Sequence, residues 1–311
     1  MSARTLGLLA GFAADRRWGD PRRGHPVAAF GTVAGRLEQR MWADDRRAGL
    51  AYSTILVGGA ALLGITLERA TRRHPGARFL LTGATTWAVL GGRSLETEAL
   101  AVRDLLNAGD LRAARRRLTH LVGRDTDRLD ESGIARAVIE SVAENTYDAV
   151  VAPLVAGAVA GVPGMLAYRA ANTLDAMVGH RSERYANFGW ASARLDDLLN
   201  WLPSRITATL AALLAPAVGG RPADAFDAWR RDAAGHPSPN AGPVEATFAG
   251  ALGIQLGGVN RYDGHIEDRH TLGDGRPAQT GDIEAANHLS LLVGAASATA
   301  VAGLLTRRRR P

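Results

Sequence analysis

The stretch Glu140-Ser-Val-Ala-Glu144-Asn145-Thr-Tyr-Asp148-Ala-Val-Val-Ala-Pro153-Leu-Val-Ala-Gly-Ala-Val-Ala-Gly161-Val-Pro163-Gly164-Met-Leu-Ala-Tyr168-Arg-Ala-Ala-Asn172-Thr-Leu-Asp175 decides the fold. Its middle, Ala149 to Tyr168, carries no charge and has about the length that spans a bilayer as a helix. Acids and amides crowd both of its ends. The break Gly161-Val-Pro-Gly164 gives two readings, one kinked span or a re-entrant hairpin whose halves are each too short to cross.

Working outward, Ala48 to Leu67 is also free of charge, as is the run after Arg78 up to Gly92, and the short turn Glu68 to Pro75 separates them. This pattern predicts a helical hairpin across lipid. Shorter apolar segments occur at 5–14 and 206–219, and a longer one at 289–306 runs into Arg307-Arg-Arg-Arg310, which favours a cytoplasmic C-terminus. The fold class expected is an all-α, polytopic membrane protein with four to six apolar helical segments, at least one of them a candidate re-entrant element. The apolar segments, 5–14, 48–67, 78–92, 149–168, 206–219 and 289–306, alternate with polar segments 93–148, 172–205 and 220–288 in one membrane-embedded domain over 1–311. A soluble bundle is the competing reading, but several uncharged blocks near 20 residues are uncommon in soluble folds.

Ser94 to Arg117 has helical spacing and reads as one amphipathic helix. Segment 220–288 is rich in Gly, Pro, Asn and Asp with no sustained period, and is expected to be irregular.

Composition narrows the chemistry. There is no cysteine and no lysine, so all 37 basic residues are arginine. Thiolate and Schiff-base chemistry are thereby excluded, and anions must be held by guanidinium groups, backbone amides or a metal. The net charge of +6 does not indicate nucleic acid, because the arginines flank apolar blocks and do not alternate with stacking aromatics.

Glu140, Glu144 and Asp148 fall at i, i+4 and i+8, on one face of a helix, where unscreened carboxylates repel unless a cation joins them. After the apolar block come Asn172 and Asp175, then Arg181, Arg184 and Arg194, then Asp196, Asp197 and Asn200. These supply oxygen ligands and planar anion-binding forks. His236-Pro-Ser-Pro-Asn240-Ala-Gly-Pro243 is a stiff strip that fixes His236 and Asn240. Gly257-Gly-Val-Asn260-Arg261 is a weak glycine-assisted anion loop, and Asp15 to Pro26 reads either as a capped turn with positive flanks or as a further piece of the same site. Because the blocks' interiors hold no carboxylate, chemistry at the membrane surface is expected over a transporter's midplane site.

The ordered series Gly19-Asp-Pro, His25-Pro-Val, Glu140-Ser-Val-Ala-Glu-Asn-Thr with Asp148, Asn172-Thr-Leu-Asp, Met177-Val-Gly, Arg184-Tyr, Phe188-Gly-Trp-Ala-Ser-Ala-Arg-Leu-Asp-Asp197, His236-Pro-Ser-Pro-Asn-Ala-Gly242 and Leu272-Gly-Asp-Gly resembles the adenosylcobinamide-phosphate synthase family. These are integral membrane proteins of cobalamin biosynthesis. Tyr147 stands where the family pattern has a small residue. The resemblance implies an inner-membrane, multi-pass carbon-nitrogen ligase that uses ATP and Mg²⁺ to join aminopropanol, as its O-phosphate, to a propionate of adenosylcobyric acid. It implies catalytic roles for Glu140, Glu144, Asn145, Asp148 and His236. Substrate or ATP contacts would come from Asn172, Asp175, Arg181, Arg184, Arg194, Asn200, Asn240, Asn260 and Arg261, and metal ligation from Glu144, Asp148, Asp196 and Asp197. Partners would be the corrinoid, the amino alcohol, the bilayer and other corrinoid-pathway enzymes, with no nucleic acid. A corrinoid-binding or transporting membrane subunit is the alternative.

Overall fold

The computed structural model describes residues 1–21, 24–180, 182–262 and 265–307, with the backbone alone at 261, 262 and 265. Its contacts divide the chain into two compact units. The first comprises Met1–Gly91, Asp148–Asn200 and Ser297–Pro311, and the second Gly92–Tyr147 and Trp201–Ala296.

The first unit holds α1 (Ala3–Trp18), α2 (Pro26–Met41), α3 (Arg46–Thr71) and α4 (Pro75–Val89). The expected pair over 48–67 and 78–92 is thus formed by α3 and α4. Asp45 caps α3 by accepting from the Arg47 amide, and Pro75 starts α4 at a position where its missing N–H costs nothing. Leu50, Ile55, Leu62 and Leu63 of α3 and Leu80 of α4 face outward and are more than half exposed. Such a surface is costly in water and at home in lipid.

The uncharged block after Asp148 settles between its two readings. A π-helical turn at Tyr147–Val151 leads into the segment Ala152–Leu174, whose backbone leaves helical geometry at Gly161 (φ 71°, ψ −149°). The Tyr168 hydroxyl lies 2.9 Å from the main-chain oxygen of Asp148, although a continuous helix would separate those residues by about 30 Å. The chain therefore doubles back at Gly161, and this hairpin segment is α8. One expectation fails here: the second arm is not too short. Through a second π turn at Asp175–Gly179 it reaches roughly 27 Å, close to the apolar thickness of a bilayer.

Its tip lies at Glu68, near the end of α3, where a Cβ on Gly161 would sit 2.8 Å from the Glu68 carboxylate. Further along, Gly64 lets α3 pass within contact of Pro163. At the far end Leu174 and Val178 pack with Tyr52, Leu56 and Phe188.

Gly161 gives a direct test. A side chain at this φ costs roughly 1–2 kcal/mol before any clash is counted. Gly161→Ala is expected to lower the melting temperature in detergent, whereas Gly59→Ala, in α3 with open space around it, should be neutral or stabilising. Equal behaviour of the two would contradict the hairpin.

The second unit contains α5 (Gly92–Asn107), α6 (Leu111–Leu118) and α7 (Glu131–Thr146). The single amphipathic helix expected at 94–117 is thus two, with Asp110 capping α6 through the Ala113 amide. The residues of α9 (Trp190–Leu214) are divided between the two units, and α9 takes in 206–214 of the 206–219 segment, with a short tighter turn at Ala215–Val218 following it. The described residues of 220–288 are not irregular. They form α10 (Pro222–Asp232), α11 (Ala241–Leu252), β1 (Ile254–Tyr262), β2 (His265–Leu272) and β3 (Arg276–Pro277), followed by α12 (Asp282–Arg307), whose residues are divided between the two units. Helix α11 shows no amphipathic period because it is buried all round. The strands hide behind glycines: β1 pairs antiparallel with β2 through a bulge between Gly257 and Val259, and parallel with β3.

Among the described residues, four helical stretches are long and apolar enough to cross a membrane, namely Arg46–Thr71, Glu131–Gly179, Trp190–Val218 and Asp282–Arg307, the second of them folded into the hairpin. The protein is a helical membrane protein with a small three-stranded sheet.

Candidate functional site

Within the first unit, the hairpin and the start of α9 build a polar ring of side chains joined by an open series of hydrogen bonds. Tyr168 and Asn172 lie one turn apart on α8, as Asp196 and Asn200 do on α9. The Tyr168 hydroxyl is 2.8 Å from Asn200 Oδ1 and 3.5 Å from Asp148 Oδ1. Asn200 Nδ2 donates to Asp196 Oδ2 at 2.8 Å, and Asn172 Nδ2 to Asp196 Oδ1 at 3.4 Å. Arg169 ends the series by donating to Asn172 Oδ1 at 3.3 Å. Asn200 is wholly buried.

The ring's carboxylates, Asp148 and Asp196, lie outside the apolar blocks 149–168 and 206–219, as expected. Folding back at Gly161 carries Asp148 alongside the middle of the second arm. Other residues expected here are engaged elsewhere. Asp197 faces Arg194 at 3.5 Å, Asp175 folds over Gly179, and Arg184 pairs with Glu38 at 3.1 Å while stacking 4.7 Å from the Trp42 ring centre. Arg181 lies outside the described residues. His25 caps α2 through the Val27 amide, which supports the plain turn reading of that segment.

The second unit carries the other half of the acidic motif. The helical spacing that would stack Asp148 on Glu140 and Glu144 ends at Thr146, where the π turn begins. Glu140 is buried in a network: Arg124 approaches to 2.5 Å, the Gly257 amide donates at 2.7 Å, and Arg136 stands at 3.9 Å. Arg124 and Arg136 both donate to Asn260 Oδ1, at 2.9 and 3.2 Å, and Arg136 also donates to the Gly257 carbonyl. Beside this network a cleft of about 410 Å³ opens, lined by Arg128, Asp130, Arg136, Gly257, Gly258 and Thr271 among others. The side chain of Arg261 lies outside the described residues.

Asn145 turns back onto its own helix, donating to the Ser141 carbonyl at 2.9 Å. Asn240 accepts from Arg205 at 2.8 Å, and Ser238 Oγ accepts from the amides of Asn240 and Ala241. The Pro-rich strip thus works as the cap of α11.

His236 accepts from the Ser238 amide at Nδ1 (3.1 Å), so its neutral ring carries hydrogen on Nε2, which points at Glu245 Oε2, 3.7 Å away. Burial, aided by the nearby Arg269 charge, pushes His236 down to about 4. A depressed histidine contributes stability that is full above its ordinary pKa near 6.5 and is lost as pH falls from there towards 4. His236→Gln is therefore expected to flatten the loss of thermal stability between pH 6.5 and 4, and an unchanged acid limb would show that another group controls it.

Sequence reasoning missed Glu245, Arg124, Arg136, Arg269, Tyr168 and Arg169. Some signal was present. Glu245 is the only charge in the twelve residues of α11, and Arg136 and Glu140 are an opposite-sign i, i+4 pair.

Residues 8–290 match the family model described as CobD/Cbib protein. Over 309 residues the chain is 52% identical to the cobalamin biosynthesis protein CobD of Mycobacterium tuberculosis (strain ATCC 25618 / H37Rv), covering 99% of this chain and 97% of that one. It is 44% identical over 274 residues to the protein of that name from Chromobacterium violaceum, covering 86% of each. With the one from Rhodobacter capsulatus it shares 40% identity over 265 residues, 83% of this chain and 82% of the relative. No solved structure matches it.

Proposed function

Since this chain belongs to the CobD/Cbib family of cobalamin biosynthesis proteins, we propose that it is an inner-membrane ligase. In this reading it uses ATP to join the amine of aminopropanol, carried as its O-phosphate, to a propionate carboxylate of adenosylcobyric acid. A carboxylate is a poor electrophile. Its oxygen attacks the terminal phosphorus of ATP and ADP leaves. The amine nitrogen then attacks the acyl carbon, inorganic phosphate departs, and the amine proton passes to a base.

The observation that carries this reading is the ring of Asp148, Asp196, Asn172 and Asn200. It is an oxygen-rich donor set. Among the described residues no three His, Asp or Glu side chains converge on a metal position. That suits Mg²⁺ on a nucleotide, which keeps waters and needs only one or two carboxylates beside the phosphates. When bound there, Mg²⁺ would neutralise charge on the phosphate oxygens. Asp148 and Asp196 would hold it, Asn172 and Asn200 would orient them, and Arg169 would offset negative charge at the ring. In the other unit Arg128 and Arg136 give the cleft a positive wall that suits a phosphate ester.

The test is turnover by the detergent-purified full chain with adenosylcobyric acid, ATP, Mg²⁺ and either amino alcohol, followed by the mass of the new amide. Absence of amide with every combination would remove the reading. One feature favours the second reading, a corrinoid-transporting subunit: Asp148 and Tyr168 meet partway along apolar helices, as in transport sites. Uptake into proteoliposomes without amide formation would establish it.

A further inference from the structure

The last turn of α3 and its link to α4 leave positive charge unpaired. Glu68-Arg-Ala-Thr-Arg-Arg-His-Pro-Gly-Ala-Arg78 holds four arginines against one carboxylate, and that carboxylate pairs with Arg78 at 2.8 Å. Arg69, Arg72 and Arg73 are exposed, and none of their guanidinium groups has a protein partner among the described residues.

The face of α3 leading to them is apolar. Ile55, Gly59, Leu62, Thr66 and Arg69 follow one another at steps of four, three, four and three, so they share one stripe of the helix. All five are exposed. A Cβ on Gly59 would meet nothing within 4 Å, which leaves a shallow notch between the side chains of Ile55 and Leu62. Thr66 turns its hydroxyl onto the Leu62 carbonyl at 2.9 Å and so adds no free donor to the stripe. An apolar track ending in unpaired guanidinium groups complements a molecule with an anionic head and a hydrocarbon tail.

The opposite end of α3 is built differently. Segment 36–47 balances Arg36, Arg40, Arg46 and Arg47 with Glu38, Asp44 and Asp45, and there Arg184 and Arg46 stack over Trp42 and Trp190. Tryptophan suits either membrane interface, whereas uncompensated arginine is drawn to an anionic one. Arg47 and Arg69 are separated by about 33 Å of helix, close to the apolar thickness of a bilayer, so α3 sets its two ends at opposite headgroup layers.

We propose that the α3–α4 turn, with the stripe leading to it, binds an anionic phospholipid. The phosphate sits on Arg69, Arg72 and Arg73, whose planar forks suit phosphate oxygens, and an acyl chain runs along Leu62, the Gly59 notch and Ile55. Charge complementarity selects this occupant. A zwitterionic lipid brings a cation of its own to the same place, and a second copy of the chain would set like charges against each other. The surface is independent of the polar ring and of the reaction read from it.

The test is thermal unfolding of the detergent-purified full chain, titrated separately with dioleoyl phosphatidylglycerol, dioleoyl phosphatidylcholine and glycerol 1-phosphate. Phosphatidylglycerol is expected to raise the melting temperature saturably at concentrations where the other two have no effect. In Arg69→Gln/Arg72→Gln/Arg73→Gln its half-saturating concentration should rise by at least about tenfold. Arg36→Gln/Arg40→Gln/Arg47→Gln removes as much charge at the other end of α3 and should respond as the parent does. All six side chains are exposed, so folding should survive, and melting without lipid checks this.

Equal effects of the two lipids would overturn the proposal, as would an unaltered response in the first variant or an equal loss in the second. A matching effect of glycerol 1-phosphate would overturn it too, by showing that the arginines take a free phosphate ester without regard to the hydrocarbon tail.

Discussion

Arg124→Met should produce the largest loss of stability of any single change in the second unit, about 3–5 kcal/mol. Arg124 and Glu140 are both buried, with the guanidinium 2.5 Å from the carboxylate. Methionine fills much of the volume but leaves Glu140 as a buried anion held only by the Gly257 amide and a distant Arg136. It also removes a donor from Asn260. The double variant Arg124→Met/Glu140→Gln should recover much of the loss, because the cost lies in the uncompensated charge more than in the absent bond. Thermal unfolding in detergent measures both. A single variant that melts with the parent would mean that the pair is solvated and the network is not a buried one.

The second large effect is on turnover. Asp148→Asn and Asp196→Asn each keep the size and hydrogen-bonding reach of the side chain while deleting its charge. If the ring holds the nucleotide's cation, each should lower kcat on the order of 10²–10³-fold, the scale of a lost electrostatic partner at a reacting group. Asp197→Asn, one residue on but facing Arg194, should stay near the parent. Similar losses at 196 and 197 would argue against the ring, since only one of the two carboxylates belongs to it.

That contrast shows what the sequence can carry and where it stops. Helical spacing pairs Asn200 with Asp196 or with Asp197, and a linear reading has no means of choosing. The choice depends on which face of α9 meets Tyr168, a contact between residues 32 positions apart. The apolar spans were legible because lipid imposes length and freedom from charge on each one. The ordered residues of 220–288 were not. Helix α11 is apolar on all sides and β1 is interrupted by glycines at positive φ, so neither shows the period that marks a half-buried element.

Glu140 illustrates a different limit. A glutamate in a polar motif reads as chemistry, yet here it ties α7 to β1 through Arg124, Arg136 and Gly257. Its partners lie up to 117 residues away. Glu245, hidden in an apolar run, was passed over for the opposite reason. Burial and missing partners, which only the folded chain reveals, make it the more unusual acid.

The reversal at Gly161 bears on how the chain is threaded during synthesis. A helical pair joined by so tight a corner is inserted as one unit, because neither arm can move through lipid without drawing the other with it. Charge flanking the pair, including Arg184 and Arg194, then biases the orientation of both arms together.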